Sequence, residues 1–69
     1  MIFTKRFTKT GHTWQCCVKA DPKGWIVREE SDGLPVTVAS SRNWSRVEMR
    51  MALFDLKAAE LADRGWREG

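Results

Sequence analysis

The chain has 69 residues, 42% of them hydrophobic and 30% charged, with a net charge of +3. That is enough for one domain. A chain of this size removes only about 60% of its unfolded surface from water, so its core is marginal and extra support, above all a second subunit, is expected. No run nears the ~20 apolar residues of a membrane span, and residues 1–9 lack the apolar stretch of a signal peptide, so neither is expected.

Residues 2–8 read as a first strand, rich in β-branched and aromatic side chains. Phe3 and Phe7 share one face with Lys5 between them, so that face is either core with a snorkelling lysine or an exposed stacking surface. Thr10, Gly11 and His12 form a turn. Residues 13–20 are the clearest strand: Trp14, Cys16, Val18 and Ala20 alternate with Thr13, Gln15, Cys17 and Lys19. The adjacent Cys16 and Cys17 point to opposite faces, which suits two reduced thiols, one buried and one not, in a cytoplasmic type of setting. One histidine and two cysteines at this spacing give no zinc site, so no metal or cofactor is expected.

Asp21, Pro22, Lys23 and Gly24 make a strong turn. Residues 25–30 follow as a third strand, and Ser31, Asp32 and Gly33 form a second hairpin turn. Residues 36–39 are a short fourth strand, with Pro35 marking an edge or a strand start. A helix over residues 43–64 then begins at Ser41 or Asn43, while Ser45 and Glu48 also match capping-box spacing. Gly65 stops it, leaving residues 65–69 as a tail. The fold class is therefore α+β: a four-stranded antiparallel meander over residues 1–39, then one long amphipathic helix packed on one sheet face, in a single domain.

At 100° per residue, Trp44, Val47, Met51, Phe54, Ala58, Leu61 and Ala62 form one apolar arc, the core face. Met49, Leu53 and Leu56 lie roughly opposite. A contiguous exposed cluster of this kind marks an interaction surface. Arg46, Arg50, Lys57 and Arg64 gather on one flank, as a solvated border or a ridge for phosphate or an acidic partner. About 22 helical residues span roughly 33 Å, so the helix is expected to overhang strands of six or seven residues.

Charge divides unevenly: residues 1–28 carry +5 and residues 29–69 carry −2. A basic half favours a polyanionic partner, although strand edges also use lysine and arginine against aggregation. His12 sits in a turn and no oxyanion-hole or phosphate-cradling element is visible, so an enzyme is not expected. Basic residues interleaved with aromatics suit single-stranded nucleic acid. On that reading Lys5, Phe7, Lys19, Trp25 and Arg28 are the contacts.

The run Val18-Lys19-Ala20-Asp21-Pro22-Lys23-Gly24-Trp25-Ile26-Val27 resembles the strand–turn–strand of a Pur-alpha repeat. Asn43-Trp44-Ser45 at the helix start resembles the positive-cofactor coactivator pattern. With the Whirly proteins, these families share a meander followed by one helix. The resemblance implies single-stranded nucleic-acid binding, typically by dimers or paired repeats. The stretch from Ala20 to Trp25, with Trp66, is also similar to MbtH-like proteins, partners of adenylation domains, but their N-terminal Asn-Pro-Phe signature is absent. The expected function is a small homodimeric module that contacts single-stranded nucleic acid through a basic, aromatic sheet face, with Met49, Leu53 and Leu56 at the dimer contact. The alternative is a regulatory protein-interaction module docking through that same helix patch.

Overall fold

The computed structural model describes residues 2–69. Four strands run in chain order: β1 (Phe3–Lys9), β2 (His12–Asp21), β3 (Gly24–Ser31) and β4 (Leu34–Ser41). They are followed by α1 (Trp44–Asp63) and a two-residue β5 (Arg67–Glu68). All pairings are antiparallel, in the order β4-β3-β2-β1-β5. This is the expected α+β meander with a helix packed on it. The expected tail differs, because its last residues pair with β1.

Turn chemistry fixes the register. The first and third hairpins close through Thr10-Gly11 and Asp32-Gly33, all four with positive φ. That matches the type I′ turn, whose twist suits the flanking strands. His12 therefore opens β2 opposite Lys9 rather than sitting in a turn. The β2–β3 turn turns instead on Pro22 and Lys23, with Asp21 opposite Gly24. Gly24 has no room for a Cβ, which would strike the Ser41 carbonyl oxygen at the end of β4.

With that register, Phe3 and Phe7 share a face with Trp14, Cys16, Val18 and Val27. α1 covers this face with Val47, Phe54, Ala58 and Leu61, and together these side chains form the buried core. Trp14 lies at its centre. Its ring meets Phe7 at 6.3 Å and Phe54 edge-on at 6.2 Å. Its indole N–H donates to the Glu29 carboxylate at 2.8 Å, so the polar end of a buried tryptophan is satisfied.

The helix ends explain its bounds. Asn43 is the N-cap, its side-chain oxygen accepting from the Ser45 backbone N–H at 2.9 Å. Ser45 is therefore the capped residue, not the start of a capping box. At the other end the Trp66 N–H reaches the Leu61 carbonyl and the Gly65 N–H the Ala62 carbonyl. With Gly65 at φ +91° this is a Schellman motif, in which Trp66 packs back over buried Leu61. The motif turns the chain so that Arg67 and Glu68 reach β1. β2 is also longer than the six or seven residues on which an overhang was expected. It is ten residues long, and at about 3.3 Å per residue it spans as far as α1 does.

Candidate functional site

One helix cannot cover this sheet. Four strands about 4.8 Å apart are nearly twice as wide as a helix of ~10 Å diameter. α1 starts beside β3, where Trp44 lies 5.0 Å from Trp25 ring to ring. It ends over β1, where Lys9 donates to the Arg64 carbonyl. The space left over β3 and β4 is a groove of about 490 Å³. Val27, Ala39 and Val47 line its apolar depth, and Arg46, Arg50, Met49 and Leu53 line its helix side.

Above this groove, Met49, Leu53 and Leu56 are 66%, 50% and 68% exposed, so the second helix patch lies open as the wheel implied. β4 is paired on one side only, and its run Leu34–Ser41 contains no charged residue. Leu34, Val36 and Val38 are all exposed. Six of the eight large exposed apolar side chains among the described residues thus belong to β4 or to the helix patch. Pro35 and a bulge opposite Glu29 and Glu30 disrupt only the first half of β4. Residues 37–41 form a regular edge with free backbone groups.

The ion pairs join Lys5 to Asp55 at 3.6 Å, Arg28 to Glu30 at 2.7 Å and Arg64 to Glu60 at 2.8 Å, and the His12 ring Nδ1 lies 3.1 Å from the Asp32 carboxylate. Among the described residues the other nine lysines and arginines have no ion-pair partner, and of these Arg46 and Arg50 line the groove. Arg46 and Arg50 stand one helical turn apart at the groove.

The five residues expected to contact nucleic acid are not brought together. Lys19 and Arg28 lie on the sheet face away from the helix, in register with Ile26 and Cys17. Phe7 is 6% exposed and belongs to the core, which removes it as a stacking platform. Lys5 shares the helix-covered face. Its stem runs past Phe3, its ammonium 5.9 Å from that ring, on the way to Asp55. Trp25 is half-buried against the core and Trp44. The Lys5 ambiguity resolves as core phenylalanines with a snorkelling lysine, because α1 supplies both the cover and the anion. Among the described residues the open face carries no aromatic side chain. It holds Arg6, Gln15, Cys17, Lys19, Arg28 and Glu30 with apolar Ile26 and Val38 among them, and Glu30 already takes Arg28 and Gln15.

Both cysteines are free thiols. Burial pushes the Cys16 thiol up to about 11, while Cys17 is half-buried on the open face. Among the described residues no His, Cys, Asp or Glu cluster could hold a metal, and no helix is long and apolar enough to cross a membrane. Pro35 marked β4 as an edge or a strand start, and β4 lies at the edge; its role beside the groove was not foreseen. Its uncharged run Leu34-Pro35-Val36-Thr37-Val38-Ala39-Ser40-Ser41 was the available signal.

No family model, no curated protein and no solved structure matches the chain.

Proposed function

We propose that this domain is a protein-docking module. Its working surface is the roof of Met49, Leu53 and Leu56 together with the groove beside it. The observation that carries this reading is the exposure of Met49, Leu53 and Leu56 on the helix beside a groove with apolar lining. In a marginal 69-residue domain, apolar area left in water is area a partner can bury.

The reading is tested by site-specific photo-crosslinking in the native cell at positions 53 and 56, with position 15 on the open face as control. The expected result is a protein adduct at 53 and 56 and none at 15. The identified partner, once purified, then binds the folded wild type and not Leu53→Glu. Adducts at 15 alone, or binding indifferent to Leu53→Glu, overturn the reading. An adduct with the same chain makes the partner a second copy, the homodimer expected from the sequence.

A second reading, single-stranded nucleic-acid binding, is supported by the unpaired Arg42, Arg46 and Arg50 and by Lys19 on the open face. It predicts oligonucleotide affinity that falls steeply with salt, because phosphate contacts release counterions. Fluorescence anisotropy with no binding at low salt removes it.

A further inference from the structure

We propose that an extended, acidic segment of a partner protein adds to β4 as a sixth strand along residues 37–41, with its carboxylates held by Arg46 and Arg50. This rests on the protein-docking reading and names the occupant of that surface.

Three observations converge on it. β4 is unpaired on its outer side and is regular over residues 37–41, beyond the Pro35 bulge. An edge of this kind accepts a strand through backbone hydrogen bonds, which provide affinity largely independent of side chains. Ala39, Ser40 and Ser41 of this stretch also line the groove. Alternate side chains of an added strand point to the helix side, where the groove offers Val27, Val47 and Leu53 as apolar contacts. Arg46 and Arg50 stand over the groove with no ion-pair partner among the described residues. Arginine forks hold carboxylates in paired, charge-assisted hydrogen bonds. Specificity then comes from an apolar and acidic alternation in the ligand.

Charge also argues against a second copy in this place. Pairing β4 with β4 of another chain about a two-fold axis would bring both copies of Arg42, Arg46 and Arg50 toward one trough. β4 carries no acid to offset them. Like charges gathered at one seam oppose association.

The test is selection of random 12-residue peptides displayed on phage against the immobilised full chain. Fluorescence anisotropy of the enriched peptides, labelled and synthesised, follows. Enriched peptides are expected to carry Asp or Glu among alternating apolar residues. The double change Arg46→Glu with Arg50→Glu should weaken them by at least about tenfold, the scale of lost charge-assisted hydrogen bonds. Single N-methylations along the peptide should abolish binding at every second residue over the bound stretch, because an added strand turns alternate N–H groups toward its partner.

N-methylation tolerated throughout, with binding still lost in Leu53→Glu, overturns strand addition and leaves the docking reading standing. Binding unaffected by both Leu53→Glu and the arginine changes overturns both. Failure to enrich any peptide overturns the strand proposal, as does a dimer by sedimentation equilibrium whose interface is β4. Displacement of the peptide by a twenty-residue oligothymidylate, with the arginines needed for both, assigns the arginines to a phosphate backbone and overturns it too. Circular dichroism of each variant guards against loss of fold. If the double arginine variant unfolds, Arg50→Gln replaces it.

Discussion

The two edges of this sheet are treated in opposite ways. At the β1 edge the chain returns on itself. A Schellman motif redirects it, Trp66 packs on the core, β5 pairs with Phe7 and Thr8, and Lys9 reaches the end of the helix. At the β4 edge no other described segment pairs, and Leu34, Val36 and Val38 along it are exposed. Sequence alone does not force this contrast, since both edge strands are flanked by comparable turns. The helix position makes it. One helix covers about half the sheet, and α1 ends over β1, so the closed edge also has the better packed core beneath it.

The largest effect expected is from Phe54→Ala. Phe54 stacks near Phe3 at 6.4 Å and meets Trp14 edge-on, under the closed half. Truncation of a buried phenylalanine costs about 3–5 kcal/mol. A core of this size supplies little more than about 3–5 kcal/mol in total. The variant should therefore be largely unfolded at 25 °C by circular dichroism; a cooperative melt near that of wild type would mean the core lies elsewhere.

Gly65→Ala is expected to cost about 1 kcal/mol, because φ +91° disfavours a Cβ. Its Cβ would have room, the nearest atom being the Lys9 Nζ at 3.8 Å. The loss should thus be conformational, and it should raise amide exchange at Arg67 and Glu68 more than in β3. Uniform exchange would break the assignment of the closed edge to the Schellman motif.

On the open side, Leu53→Glu and Val38→Lys should each change stability by less than about 0.5 kcal/mol in urea titrations, since both side chains are more than half exposed or at that limit. A loss several times larger would place either residue in the core and erase the contrast between edges.

The smallest effect concerns pH. Asp32 accepts from the Thr13 backbone N–H at 2.9 Å and meets the His12 ring, and these contacts hold its carboxyl below the ordinary value. A carboxylate depressed in the folded state stabilises above its unfolded pKa, and that contribution disappears as pH falls through the folded value. Asp32→Asn should accordingly be less stable than wild type at neutral pH and converge with it in acid. Cys16 acts at the other end of the scale. Its thiol is raised from 9.0 to about 11, so stability present below pH 9 should fall between those values, while iodoacetamide labels Cys17 well before Cys16.

Much of the fold was legible because strong local signals agreed. Trp14 to Ala20 alternated cleanly, the turns carried Gly, Asp and Pro, and the 100° wheel separated Val47, Phe54 and Leu61 from Met49, Leu53 and Leu56. What escaped depended on distant parts of the chain. Arg67 and Glu68 are too short a strand to show periodicity, and only the turn at Gly65 delivers them to β1. Lys5 was ambiguous until Asp55, fifty residues away, supplied its anion. The proposed nucleic-acid residues were drawn from both faces of the sheet, and register, which flips a side chain with each residue, separated Phe7 and Trp25 from Lys19 and Arg28.

The strand order also sets a sequence of events. β1 through β4 are neighbours in the chain and in the sheet, so each hairpin forms from local contacts, the kind that assemble quickly. The pairing of β1 with β5 joins residues some sixty positions apart and must close a loop containing everything else. During synthesis from the N-terminus, β4 is therefore complete while the opposite edge still waits for Arg67 and Glu68 to emerge. For that interval the nascent chain has two open edges rather than one. A partner that binds β4 early would leave only the self-closing edge to finish.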